Sequence, residues 1–370
     1  MHAWIQTAVD VLVIVMAGIL VLFTLGLLVL HILTTTNNKR VERIKKRIMR
    51  LLSVSQDLEY LRGQIHHLLD EDGEVTSLRD IRGIDSNRGT IAMTIVVEEI
   101  APGQREHMRE IILKDSWYLS HIHKKMRSPD PDRVGVFTKL IAELRLPDFE
   151  KDILNSLHRW PSRADNQEIG LLALFRCGRG EELISLFTDP SFQLIISFRS
   201  LQELFSLYAG DKVSLYRRLM ETPCDMYIIR ACIRDIGVNS IRELCPAVLP
   251  YLDSDNNNLL IDAVRTLGRL GYRPAEEKIR GFTNHSSWGV RSVAVSALAR
   301  IAPKASYSDL LRCLCDREWW VRFHAAEALA EGGDHEKLME DVEGLNDRFA
   351  YEMMRYILER NALLKEGLAS

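Results

Sequence analysis

From residue 130 onward, apolar positions recur at i, i+3, i+4 and i+7, each run being followed by a short turn containing Gly or Pro and then by a second, shorter apolar run. That spacing gathers the apolar side chains on one stripe of a helix and predicts helix pairs. The pairs open near Asp130, Ser162, Ser191, Cys224, Asn256, Ser287, Trp319 and Arg348, at intervals of 32, 29, 33, 32, 31, 32 and 29 residues. Intervals confined to so narrow a band predict an all-α fold, a solenoid in which each pair buries its stripe against the next. Strand-like alternation is missing apart from IAMTIVVEEI (91–100), which reads either way. The last segment, RFAYEMMRYILER (348–360), is more charged than its predecessors, as a terminal repeat with one face to water requires.

Three copies align on a closing leucine: NNLLIDAVRTLGRLG (257–271), SWGVRSVAVSALARIA (287–302) and WWVRFHAAEALAEGG (319–333). With Leu267, Leu298 and Leu329 in register, small residues repeat at Ala263, Ala294 and Ala325, where they let neighbouring helices approach closely. Val290, Arg291, Ala294, Ala297, Leu298 and Ala299, and again Val321, Arg322, Ala325, Ala328, Leu329 and Ala330, resemble the V-R-x-x-A-x-x-A-L-A first helix of bacterial HEAT-like repeats. The resemblance is strong over 224–333, fair over 130–223 and weak over 74–129. It implies a right-handed α-solenoid, with HEAT-like repeats over 130–365, and Asp and Arg ladders along the stack. Only Asp316 with Arg322 retains both halves of such a ladder. Residues 74–129 then form a divergent first layer, with helices over Asn87–Ile100 and Gln104–Arg127.

The N-terminal pattern is different. Residues 11–33 contain no Asp, Glu, Lys or Arg, and as a helix they run roughly 34 Å, enough to cross a bilayer core. Residues 1–10 carry no Lys or Arg, so a cleaved signal peptide is not the expectation. Lys39, Arg40, Arg43, Lys45, Lys46, Arg47 and Arg50 follow the run, and such a bias keeps the flank cytoplasmic: residues 1–10 outside, all beyond Leu33 inside. The six cysteines fit a reducing compartment and no disulfide framework. The basic segment serves either as a topology signal alone or as a surface for anionic lipid. Within 34–73, a heptad through Val41, Ile44, Ile48, Leu51, Ser55, Leu58, Arg62, Ile65 and Leu69 makes an amphipathic helix, interrupted by Ser55 and Arg62 and stopped by the acidic run 70–73. Its seam either packs on the body or pairs two copies through residues 41–69.

The overall charge of −3 divides unevenly: residues 39–50 carry +6 and residues 51–370 carry −8. So acidic a body is a poor match for nucleic acid, and none is expected as a partner. Catalytic chemistry finds no support either, with no phosphate-cradling glycine loop and no G-x-S-x-G nucleophile. His121 and His123 point apart on a helix, His66 and His67 are adjacent, and Cys313 and Cys315 fall in an apolar run, so neither metal nor cofactor is expected.

Surface is what remains. The second helices begin near Glu181, Asp211, Ser240, Pro274, Ser306 and Asp334, and carry Arg217, Arg218, Arg242, Lys278, Arg280 and Arg312. The resemblance places these helices on a concave face, where the six side chains form either a basic strip or ordinary solvated charge. Trp288 and Trp319 share one repeat position, while Trp320 corresponds to Gly289 and sits about 100° around the helix. Trp320 is either an exposed anchor or packed on a neighbouring loop. The expectation is a non-catalytic scaffold tethered to the membrane and holding a protein partner, itself membrane-bound. By resemblance to membrane-anchored HEAT-like proteins, that partner belongs to an envelope polysaccharide or glycosyltransferase complex. The alternatives are an enzyme resembling the HEAT-like lyases that attach bilins, or a signalling relay.

Overall fold

A computed structural model describes residues 34–50, 87–332 and 334–369, and every regular element among them is helical. The expected span 11–33, the seam beyond Arg50, the acidic stop 70–73 and residues 74–86 lie outside the described residues. Among those described, no helix is long and apolar enough to cross a membrane. The chain divides into two compact units, Met1–Cys177 and Gly178–Ser370.

The first unit contains α1 (34–50), α2 (Asn87–Glu99), α3 (Pro102–Lys114), α4 (Ser116–Met126), α5 (Pro131–Leu144), α6 (Glu150–Arg159) and α7 (Ala164–Arg176). Helix α2 packs on α5 and α5 on α7. The ambiguous stretch 91–100 is helical, and it buries Ala92, Met93, Val96, Val97 and Ile100, one face of a helix rather than alternate residues of a strand. Where one helix is expected over Gln104–Arg127, there are two. Asp115 causes the break: its backbone N–H closes α3 on the Ile112 carbonyl, and its carboxylate accepts the Tyr118 amide at 3.0 Å as the cap of α4. Asp130 caps α5 in the same manner, accepting from the Asp132 and Arg133 amides ahead of Pro131. In α1, the seam residues Val41, Ile44 and Ile48 are buried. The helix is tied to α2 by Lys45–Glu99 at 2.5 Å and by Arg88 donating to Asn37. The described part of the seam is therefore packed within its own chain.

The second unit alternates two sets of helices. The first set is α9 (Phe198–Ser206), α11 (Met226–Val238), α13 (Asn257–Arg269), α15 (Trp288–Ile301), α17 (Trp319–Ala330) and α19 (Arg348–Ala369), each packed on the next. The second is α8 (Gly180–Phe187), α10 (Lys212–Glu221), the short α12 (Cys245–Val248) between two 3-10 turns, α14 (Glu276–Gly281), α16 (Tyr307–Cys313) and α18 (His335–Gly344). Helix α9 starts at Phe198 rather than near Ser191. Asp189 accepts from both the amide and the hydroxyl of Ser191, at 2.8 and 2.7 Å, and so holds a turn around Pro190; Ser197 then caps the helix through the Ser200 amide.

Close approach explains the small residues of the first set. Ala263, Ala294 and Ala325 are fully buried. A β-carbon on Gly237 would stand 2.8 Å from Thr266 Oγ1, and one on Gly268 would run into Ala297. Thr266 uses that proximity, donating its hydroxyl to the Ile233 carbonyl at 2.9 Å across the seam. The last helix turns both charge and apolar surface to water, with Arg348, Glu352, Arg355 and Glu359 exposed. Helix α19 buries Ala350, Met353, Met354 and Ile357, while Phe349, Tyr356, Leu363 and Leu364 stand exposed.

Candidate protein-interaction surfaces

Burial of Val41, Ile44 and Ile48 fixes which way α1 faces. Lys39, Arg40, Arg43, Lys46 and Arg50 are exposed along its outer side, Arg47 is half-buried, and Lys45 is engaged by Glu99. A basic ridge therefore runs along α1, diluted by the exposed Glu42.

The strip on the second helices is largely self-neutralised. Arg218 pairs with Glu181, Lys278 with Asp253, Arg280 with Glu276 and Asp309, and Arg312 with Asp309 at 3.0 Å. Arg217 and Arg242 are exposed. Each pair lowers the field an acidic partner would meet, because a cation holding a carboxylate has less to gain from another.

A sharper surface lies on the first helices. Trp288, Trp319 and Trp320 are 48%, 43% and 51% exposed, so all three present about half of their surface to water. Trp319 meets Trp320 edge-on at 4.7 Å and stacks on Phe323 at 4.9 Å, while Arg360 lies over Phe323 at 5.4 Å. Tyr227 and Phe349 are exposed at the same first-turn register of α11 and α19. Phe198 at the start of α9 lies 5.8 Å from Tyr227. Aromatic side chains thus recur at the openings of successive helices, interrupted at Asn257 and Asn258.

Below Phe198 and Tyr227 sits a charged cluster. The Asp262 carboxylate on α13 is fully buried and accepts from Arg230 Nε at 2.8 Å, Arg234 Nε at 2.7 Å and, more weakly, Arg265 Nη1 at 3.5 Å. Arg230 and Arg234 also cover the Phe198 ring, at 4.5 and 5.0 Å, and Arg234 donates to Gln202 at 3.3 Å. One carboxylate therefore serves three guanidiniums. Burial depresses the Arg265 guanidinium, and Arg234 adds to this against the pull of Asp262. Asp262 stands out within its helix, since its register partners are Val293 and His324, but Arg230 and Arg234 lie about one repeat upstream and only the stacking of α11 on α13 brings them to it.

The expected Asp316–Arg322 ladder forms with a different arginine. Asp316 is held bidentately by Arg291 of the preceding repeat, Nε to Oδ2 at 2.8 Å and Nη2 to Oδ1 at 2.9 Å. Arg322 instead clamps the backbone carbonyls of Asp316 and Arg317, at 2.7 and 3.0 Å, as Arg291 clamps those of His285 and Ser286. Burial alone would raise the Asp316 carboxyl, but Arg291 and the Glu318 amide outweigh it and hold it below the usual range.

Among the described residues no three His, Cys, Asp or Glu side chains are placed to share an ion. His123 is engaged by Asp152 at 2.6 Å and stacks on Phe149. Cys313 is buried, which pushes its thiol up to about 11, whereas Cys315 is exposed. His66 and His67 lie outside the described residues.

Residues 276–347, which comprise α14 to α18, match the family described as HEAT repeats. A curated relative, the uncharacterized phycocyanin operon protein Y of Pseudanabaena tenuis, is 28% identical over 125 residues, covering 33% of this chain. The match spans 29% of that protein's length. A crystal structure of an engineered protein aligns with 75% of this chain and 85% of its own, at 15% identity and a TM-score of 0.35.

Proposed function

We propose that this chain is a non-catalytic helical-repeat scaffold, tethered by residues 11–33 to the membrane, that holds a protein partner at the cytoplasmic face. HEAT repeats are generally scaffolds, and the match over 276–347 supports that class for the body. The observation that carries the reading is the exposed aromatic series at the openings of successive first helices, above all Trp319 and Trp320. Large aromatic side chains half in water are the residue type that anchors protein interfaces. The uncharged run 11–33 and the basic ridge of α1 directly after it support the tether and its orientation. A partner that is itself membrane-bound would meet this surface at raised effective concentration. An envelope polysaccharide or glycosyltransferase complex is the partner class that family analogy supplies.

The test is a photo-crosslinking amino acid at Trp320 in the full chain, in living cells, followed by membrane fractionation. A single crosslinked species, with the chain retained in the membrane after carbonate washing, is expected. Release by carbonate would overturn the tether, and absence of a discrete crosslink would overturn the aromatic anchor.

The relative's name gives a second reading its footing, because a phycocyanin operon serves a bilin-bearing protein. On that reading the chain handles bilin or its acceptor protein. Coexpression with a bilin source and a phycocyanin subunit would then give a coloured product that depends on this chain; an unchanged spectrum removes it.

A further inference from the structure

The strip that sequence alone nominates lies on the second helices and is mostly paired, yet a denser group of arginines occupies the first. Arg230 and Arg234 on α11 and Arg265 on α13 converge on Asp262. Arg269 follows Arg265 by one helical turn, and Arg300 holds the register of Arg269 on α15; both are exposed, and no ion pair engages either among the described residues. Helices α11, α13 and α15 are consecutive neighbours, so Arg234, Arg265, Arg269 and Arg300 share one stretch of surface, with Arg230 and the buried carboxylate beneath it. Charge is left over: Arg265 is 53% exposed at 3.5 Å from an oxygen that Arg234 already holds at 2.7 Å. Val238, exposed one turn beyond Arg234, and Tyr227 and Met226 at the opening of α11 supply apolar contact beside the charge.

From this juxtaposition we infer that the outer face of α11, α13 and α15 is a docking site for a short acidic segment of a partner protein, its carboxylates engaging Arg234, Arg265, Arg269 and Arg300 and an apolar side chain resting on Val238. Charge selects the occupant. The second unit, residues 178–370, carries a net −4, so this basic group is set in a body that is acidic overall. An extended polyanion such as nucleic acid, or a bilayer of anionic lipid, would also meet the acidic surroundings, whereas a short peptide fits inside the basic group. The inference rests on the scaffold reading and names the chemistry of what is held.

The test uses the full chain in mild detergent and a fluorescein-labelled peptide of glutamates interrupted by phenylalanine and leucine, with a thymidine oligonucleotide and phosphatidylserine vesicles as competing probes. Anisotropy should show saturable peptide binding that weakens with salt. The combined variant Arg265→Gln, Arg269→Gln, Arg300→Gln should bind about tenfold more weakly, as expected for three surface ion pairs. The combined variant Arg217→Gln, Arg218→Gln, Arg242→Gln on the second helices should bind like the parent. Because these side chains are exposed, the fold should survive, as circular dichroism will show. Should it not, a photo-crosslinker at Val238 must still capture the peptide while one at Arg217 does not. Absent binding, equal loss in both variants, or tighter binding of oligonucleotide or vesicles would overturn the assignment. A crosslink from Trp320 in cells together with failure here would remove this site alone. The reverse result would remove the aromatic anchor at Trp320 and leave this site.

Discussion

Replacing Asp262 by Asn tests whether the buried carboxylate holds the α11–α13 seam together. The substitution keeps the shape and removes the charge that Arg230 and Arg234 share at 2.8 and 2.7 Å. Arg230, whose side chain is 11% exposed, then loses its only ion-pair partner seen among the described residues while still excluded from most of the water. Breaking one side of a buried pair costs about 3–5 kcal/mol, because the remaining charge stays desolvated. Arg234 is a third exposed and recovers part of its hydration, so we take the lower end, about 3 kcal/mol. In a stacked array each helix pair answers mainly to its neighbours, so the loss should be local. Hydrogen exchange on the full chain is the suitable assay. Amides of α11 and α13 should exchange roughly 100-fold faster, the equivalent of about 3 kcal/mol, while those of α17 and α19 change little. A second variant combining Asp262→Val with Arg230→Met and Arg234→Met should restore much of the protection, since an apolar replacement of a whole buried ion cluster is often neutral or better. Less than threefold faster exchange in α11 and α13 would refute the cluster's structural role. So would acceleration spread evenly over the second unit.

Tyr118 is fully buried and its hydroxyl has no hydrogen-bond partner among the described residues, so Tyr118→Phe should raise the melting temperature of the chain by removing an unsatisfied group worth about 1–3 kcal/mol; an unchanged or lower midpoint counts against it. Asp316 is held below its usual range in the folded chain, so its contribution to stability is present above the unfolded carboxyl pKa and lost as pH falls through the lower folded value. The gap in melting temperature between the parent and Asp316→Asn should therefore be wide at neutral pH and close in acid, and a gap independent of pH would contradict the Arg291 pairing. Burial pushes Cys224 and Cys313 to about 11 and raises Cys232 well above the usual thiol range, whereas Cys315 is exposed. Alkylation of the native chain at mildly alkaline pH should modify Cys315 well ahead of those three, as peptide mass spectrometry will show.

The helix pairs were legible from the sequence because a 3.6-residue stripe and an interval near 31 residues are both local patterns. Breaks set by one capping side chain were less so, as Asp115 and Ser197 show: nothing in the apolar spacing announces that a carboxylate will take the Tyr118 amide. Ion pairing escaped for a different reason. Arg322 looked like the partner of Asp316 because the two lie within one repeat, but stacking delivers Arg291 from the repeat before. The same offset hid the cluster around Asp262. The aromatic series was half visible: the shared register of Trp288 and Trp319 could be read, but not that all three tryptophans remain half in water, since exposure depends on what the neighbouring helix offers.

Gly268 and Ala297 bring α13 and α15 together with no room for another carbon between them. A chain built by duplicating a module of about 31 residues is free to trade modules only where the junction accepts any copy. This junction does not. The aligned position after Gly268 is Ala299, so a duplicate of the α15 repeat set in place of the α13 repeat would bring a methyl group into Ala297. A swap of modules at this seam should therefore cost the two helices their close approach, and exchange is better tolerated at junctions where the matching position already carries a side chain.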